Sequence, residues 1–111
     1  MHIETTKTGR ADILSLNGKL DAVTAPEYEQ RVTALLTDTP CFLVIDFTHL
    51  EYISSAGLRA LLVTAKRIQG KGGQLHFSGV TGEVLKVFEI SGFLNIFKIW
   101  ASVNEALNAI G

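Results

Sequence analysis

The sequence predicts an α/β domain with a mixed, mostly parallel central β-sheet flanked by about four helices, in the order β-β-α-β-α-β-α-β-α. Three observations predict this class. Short strand-like runs alternate with longer segments of helical periodicity, which calls for crossover connections between parallel strands. The first two strand-like runs meet at Gly9-Arg10, so the sheet should open with an antiparallel hairpin. Residues 41–45 form an unbroken apolar run, typical of a strand covered on both faces in mid-sheet.

The N-terminal part of the chain predicts the hairpin, up to about Asn17, and a first helix. Thr24 stands three residues before Glu27, the spacing of a capping box. Pro26 is tolerated there because first-turn N–H groups have no partner within a helix. Four apolar residues at helical spacing form one stripe: Tyr28, Val32, Leu35 and Leu36. We therefore predict helix one over about Ala25–Leu36.

The central strand should be followed by an irregular connection over residues 47–53 and then by a second helix. Ser54-Ser55-Ala56-Gly57 introduces that helix, and the glycines within residues 70–73 end it, since glycine adopts left-handed conformations at little cost. Its predicted face contains Leu58, Leu61, Leu62, Ala65 and Gln69.

The C-terminal part predicts two further strands, each followed by a helix. Leu75 and Phe77 alternate with polar residues as a strand, and Thr81 can cap a short helix that stops near Gly92. Residues 96–99 indicate a last short strand. The capping-box spacing recurs at residues 102–105, ahead of the final helix.

Length and composition exclude several classes of protein. The 111 residues fit one domain, 1–111. Lys and Arg number 10 against 11 Asp and Glu, so the chain lacks the basic excess that nucleic-acid binding uses. No apolar run approaches the ~20 residues that cross a bilayer, and the N-terminus does not resemble a signal peptide. We expect a cytoplasmic protein that binds no nucleic acid and does not insert into membranes.

The sequence offers no catalytic set, and we predict no enzyme activity, cofactor or metal. The histidines are scattered without metal-ligand spacing, and the single cysteine, Cys41, opens an apolar strand where an inert buried thiol is expected. No spacing pairs a general acid with a base among the aspartates. The residues in question are His2, His49, His76, Asp12, Asp21, Asp38 and Asp46.

Residues 54–57 are the candidate site. They place two hydroxyls and two small residues at a helix N-terminus, just outside the carboxyl end of a central strand, where α/β sheets form sites and where negative charge is favoured. If Ser54 is the N-cap, its oxygen is engaged by a backbone N–H, and Ser55 at the first helical position keeps an available hydroxyl. A plain double-serine cap is the alternative interpretation.

The stretch Asp46-Phe47-Thr48-His49-Leu50-Glu51-Tyr52-Ile53-Ser54-Ser55-Ala56-Gly57-Leu58-Arg59 closely resembles the phosphorylation motif of STAS-domain anti-sigma factor antagonists. That motif commonly reads aspartate-serine-small-glycine-leucine at its end. Residues 16–21 and 24–26 resemble the family's second strand and first loop, and residues 87–93 resemble its third helix and turn. The resemblance implies a single STAS domain along the whole chain.

The resemblance also implies a function. Members of the family bind an anti-sigma factor, usually a serine kinase, when unphosphorylated; phosphorylation releases that partner, and a metal-dependent serine phosphatase restores binding. The acceptor falls on Ser55, with Ser54 as the alternative acceptor at a position often held by Asp. Asp21 matches a position near the partner surface, which we expect to include Thr24, Ala56, Gly57 and Leu58. When free, the protein is expected to be a monomer.

Two other functions stay open at this point. The same fold could serve as the cytoplasmic STAS subunit of a membrane lipid-transport complex or another signalling scaffold. A small enzyme or nucleotide-binding domain that uses a pocket beside Ser55 is the weaker alternative, because no base is paired with that serine.

Overall fold

A computed structural model describes residues 1–37 and 40–111, so Asp38 lies outside the described residues. The elements follow the predicted order, with one short 3₁₀ helix added before the last strand. Their bounds are β1 His2–Thr8, β2 Ala11–Leu20, α1 Ala25–Leu35, β3 Phe42–Ile53, α2 Ser55–Gly70, β4 Gln74–Ser78, α3 Gly82–Ser91, the 3₁₀ helix Phe93–Asn95, β5 Lys98–Trp100 and α4 Val103–Ile110.

The five strands form one sheet in the order β1-β2-β3-β4-β5, with β3 in the centre as predicted. β1 is antiparallel to β2, and the other three pairs are parallel. Helices α1, α2 and α3 pack on one face around the main apolar core, while α4 covers the other face through a smaller cluster. The predicted mixed α/β class is confirmed.

The central strand is longer than predicted. Residues 47–53, expected to be an irregular connection, belong to β3 and pair with the end of β2. Two register shifts in that pairing leave Phe47, Leu50 and Ile53 buried at every third position, whereas an undisturbed strand buries every second. The prediction was wrong because these irregularities hide the strand period. As a result, β3 leads directly into the candidate site.

The two predicted capping boxes have different outcomes. At α4 the Ser102 Oγ accepts from the Glu105 N–H at 3.2 Å, as predicted. At α1 the prediction was wrong, because Thr24 makes no side-chain cap. Its hydroxyl instead accepts from the Asp21 N–H at 3.0 Å and donates to the Lys19 carbonyl at 2.8 Å. The Thr24 side chain therefore fixes the loop before α1.

The C-terminal part also shows two differences. Thr81 makes no side-chain cap at α3. The last strand begins at Lys98, whereas residues 96–99 were expected, because the N–H groups of Ile96 and Phe97 bond to the Phe93 carbonyl at the end of the 3₁₀ helix. Within the described residues, no helix combines the length and apolar character that spanning a membrane requires.

Two polar residues of β4, His76 and Ser78, are buried, so the second half of this strand is covered on both faces. His76 is 1% exposed, and its Nδ1 accepts from the Trp100 indole N–H at 3.0 Å. Since Nδ1 accepts, the neutral ring carries its proton on Nε2, which donates to Gln74 Oε1 at 3.0 Å. Burial, followed by the charge of Lys98, lowers the pKa of His76. This histidine is structurally satisfied and neutral.

Candidate functional site

Ser54 and Ser55, the adjacent serines at the N-terminus of α2, have different roles. Ser54 is the N-cap, with extended backbone, and its Oγ accepts from the Gly57 N–H at 3.3 Å. Ser55 follows at the first helical position and is exposed. Its hydroxyl has no hydrogen-bond partner among residues 1–37 and 40–111. The Ser54 cap therefore leaves the Ser55 hydroxyl available to solvent, as predicted for a helix with Ser54 as its N-cap.

Gly57 is required by the close approach of α2 to the end of β2. A Cβ at this position would lie 2.6 Å from the Leu20 carbonyl oxygen and 2.8 Å from Ile53 Cγ1. The same carbonyl accepts from the Ser54 N–H at 3.0 Å, which ties the start of the helix to the strand. Because of this contact, the loop that follows β2 lies beside the first turn of α2.

That loop, residues 21–24, is held by its own side chains. Asp21 Oδ1 accepts from the backbone N–H groups of Val23, at 3.0 Å, and Thr24, at 3.1 Å. The bond from the Thr24 N–H, reinforced by the one from Val23, holds the pKa of Asp21 below its ordinary value. Asp21 is thus an ionised, fixed group at the edge of the site.

The structure brings the predicted site residues onto one surface. Asp21 and Thr24 come from the loop after β2, and Ser54 to Leu58 come from the start of α2, which packs against the end of β2. Ser55 is exposed on this surface, Gly57 is buried beneath it, and Leu58 is half-buried against the main core. The parallel pairing of Leu20 with Ile53 explains the arrangement, since both loops leave the same edge of the sheet.

Val23 is a member of this surface that the sequence analysis missed. Its side chain is 87% exposed at the turn that Asp21 and Thr24 fix. The available signal was an apolar residue inside a turn-forming segment, which periodicity alone does not distinguish from a helix-facing residue. An apolar side chain presented on a rigid loop is suited to contact with a protein partner.

The other described candidate groups form no shared centre, and His49 is exposed. Among the described residues, no cluster of three or more His, Cys, Asp and Glu side chains is placed to hold a metal ion. Asp12 pairs with Lys7 at 3.5 Å, and Asp46 Oδ1 accepts from the Thr48 hydroxyl at 2.6 Å. Cys41 is buried. The group available for chemistry at the site is therefore the exposed Ser55 hydroxyl, which another protein can reach.

The fold and this surface define a small mixed α/β domain whose distinctive feature is a serine-bearing helix start beside a fixed loop. A sequence profile of the STAS domain matches residues 2–106. The chain belongs to the STAS domain family.

Three similar proteins carry informative names. The chain is 38% identical over 97 residues to BtrV of Bordetella bronchiseptica, named as an anti-sigma factor antagonist, and the match covers 87% of this chain and 83% of BtrV. A crystal structure of an anti-sigma factor antagonist from Mycobacterium paratuberculosis superimposes with a TM-score of 0.88 at 26% identity, covering 98% and 92% of the two chains. SpoIIAA of Bacillus, solved in its phosphorylated form, shares the fold with a TM-score of 0.75 at 18% identity, covering 99% and 100%.

Proposed function

We propose that this protein is an anti-sigma factor antagonist switched by phosphorylation of Ser55. In its unphosphorylated form it binds an anti-sigma factor that is also a serine kinase. Phosphorylation of Ser55 releases that partner, and a metal-dependent serine phosphatase removes the phosphate and restores binding. The names of the sequence relatives support the class, and the geometry of the serine pair supports the choice of residue.

The observation that carries the proposal is the difference between the two hydroxyls. The Ser54 Oγ is occupied as the cap of α2, whereas Ser55 is exposed and has no partner among the described residues. A kinase needs its acceptor hydroxyl to rotate freely toward the γ-phosphate of ATP. Ser55 meets that requirement without any cost to the helix cap, which modification of Ser54 would disturb.

The transfer needs nothing catalytic from this chain. The Ser55 Oγ forms a bond to the γ-phosphorus of ATP, the bond from that phosphorus to the bridging oxygen breaks, and ADP leaves. The hydroxyl proton passes to a base of the kinase, which also supplies the bound ATP and Mg²⁺. This division fits a site where no described side chain bonds to the Ser55 hydroxyl.

The phosphate can act as a release signal through the cost of burying it. It carries about −1.5 to −2 charge, against a formal charge of −1 for the whole chain. Burying a group of this charge against a partner that supplies no cation costs several kcal/mol, since one nearby cation of this chain would not neutralise a dianion. A loss of that size weakens binding by a hundredfold or more.

The proposed partner surface has small residues at the start of α2 and, beside them, a loop that polar side chains hold in place. Ala56 and Gly57 keep the helix start low, so a partner can approach Ser55 closely. Val23 projects from the fixed loop as an apolar anchor, and the ionised Asp21 lies at its base. Asp21 and Thr24 thus act mainly by holding the loop in its binding conformation.

The test is phosphorylation by the serine-kinase anti-sigma factors of the source genome, purified and supplied with ATP and Mg²⁺. Intact-mass analysis should show one added phosphate, which peptide mapping places on Ser55. Ser55→Ala should bind the kinase and resist release, and Ser55→Glu should bind at least tenfold more weakly. Phosphate on a residue outside 54–55 would overturn the mechanism, and stable co-purification with a membrane permease or its ATPase would favour the transport alternative.

A further inference from the structure

Arg59 is the first charged residue of α2 and lies four positions after Ser55. Its side chain is exposed. In the part of the chain that the structure describes, the guanidinium forms neither a hydrogen bond nor an ion pair. Arg67, eight residues or about two turns further along the same helix, by contrast donates to the Thr33 hydroxyl at 3.0 Å. Arg59 is thus a cation beside the proposed switch with no described function in the fold.

The spacing of the two residues places them on one face of the helix. Residues four apart on an α-helix are surface neighbours, with Cβ atoms about 5–6 Å apart. Helical side chains also lean toward the N-terminus, so a long side chain at position 59 covers the turn that contains Ser55. An anionic residue N-terminal to a cationic one is the more favourable order for such a pair.

We propose that the Arg59 guanidinium pairs with the phosphate on Ser55 in the phosphorylated protein. The proposal rests on the proposed function only in taking Ser55 as the modified residue. The planar guanidinium can donate two parallel N–H bonds to phosphate oxygens, which makes arginine the best side chain for this contact. No acidic side chain in the first turn of α2 competes for it.

The pairing changes the partner surface in two ways at once. Phosphorylation adds negative charge at Ser55, and the pairing withdraws the Arg59 cation that the unphosphorylated surface offers to solvent. A partner whose contact surface carries an acidic group opposite Arg59 loses that attraction in the same step. The net charge of Ser55 and Arg59 taken together therefore changes from +1 to about −0.5 to −1.

The experiment measures the second ionisation of the phosphate by ³¹P NMR. Phosphoserine is installed at position 55 during translation, so no kinase is needed, and the chemical shift is followed from pH 4 to 8. The ordinary midpoint is about 6. An adjacent cation favours the dianion, so at physiological ionic strength Arg59→Gln should raise the midpoint by about half a pH unit, and Arg59→Lys should raise it less.

Lys66 supplies the matched control. It is exposed and lies on the same helix face, eleven residues after Ser55, or about 16 Å along the axis. That distance is about twice the Debye length at physiological salt. Lys66→Gln removes the same charge as Arg59→Gln and should leave the midpoint unchanged at that ionic strength.

Two results would overturn the pairing. One is an unchanged midpoint in Arg59→Gln, and the other is an equal rise in Lys66→Gln, which would indicate a general field. Circular dichroism of each variant confirms that α2 is intact, which substitution of these exposed residues should preserve. The outcome is separate from that of the proposed function: if no kinase modifies Ser55, the switch fails while the ³¹P result still stands on its own.

Discussion

Replacing Gly57 by Ala tests how closely α2 must approach β2. The added Cβ would lie 2.6 Å from the Leu20 carbonyl oxygen, and ordinary contact begins at 3.4 Å, so the helix start must retreat by about 0.8 Å. The contacted atom belongs to the backbone, so it cannot rotate away. The retreat also stretches the 3.0 Å hydrogen bond from the Ser54 N–H to the same carbonyl beyond its useful range.

The expected loss of stability follows from three effects. Overpacking costs about 1–3 kcal/mol, and loss of the Ser54–Leu20 hydrogen bond costs about 1 kcal/mol. The higher helix propensity of alanine returns about 1 kcal/mol. We therefore expect Gly57→Ala to lower the free energy of unfolding by about 2 kcal/mol, measured by urea unfolding followed by circular dichroism.

Gly70→Ala is the matched control on the same helix. A Cβ at Gly70 would meet nothing within 4 Å, so this variant should keep its stability or gain up to about 1 kcal/mol. The reasoning is refuted if Gly57→Ala unfolds at the same urea concentration as wild type or as Gly70→Ala. That result would mean that the contact between β2 and α2 yields without cost.

Three further predictions concern separate parts of the molecule. Burial and Lys98 lower the pKa of His76 in the folded protein, so the stability that its neutral form contributes is full above pH 6.5 and is lost as the pH falls below that value. Urea unfolding from pH 7 to pH 5 should therefore show a smaller loss of stability in His76→Gln than in wild type. The same pH profile in both proteins would contradict this prediction. Arg10→Ala loses a 2.6 Å hydrogen bond to the Ile110 carbonyl, so its free energy of unfolding should be about 1 kcal/mol lower than that of wild type. An unchanged thermal unfolding curve would show that this bond is dispensable. Val23→Ser should bind the proposed kinase partner about tenfold more weakly in calorimetry at unchanged stability, and equal affinity would remove Val23 from the proposed interface.

The parts of the fold that the sequence predicted are those encoded locally. The caps at Ser54 and Ser102, the helical stripes and the apolar run of β3 each depend on residues a few positions apart. The second half of β3 was missed because its pairing with β2 contains register shifts that no local period records. The hydrogen bond from Trp100 to His76 was not predicted for a related reason, since it forms only when β4 pairs with β5.

For the candidate site, too, the sequence predicted the locally encoded features and missed those that depend on tertiary structure. The assignment of one hydroxyl to the cap and the other to solvent follows from position along the helix, and the structure has that geometry. The need for Gly57 depends on how closely the end of β2 approaches, and the exposure of Val23 depends on how Asp21 turns the loop. These are tertiary facts, and a pattern along one chain segment does not contain them.

The serine at position 54 bears on how such a switch is tuned. The motif that this stretch resembles commonly has aspartate there, and either residue caps a helix about equally well. The two differ in charge: a carboxylate at position 54 would repel a phosphate on Ser55 and compete with it for Arg59. With a neutral cap and no acidic residue in the first turn of α2, the proposed phosphate on Ser55 would meet no competing carboxylate on that turn for Arg59. Ser54 therefore preserves the cap while leaving the phosphate as the one strong negative charge on the helix start.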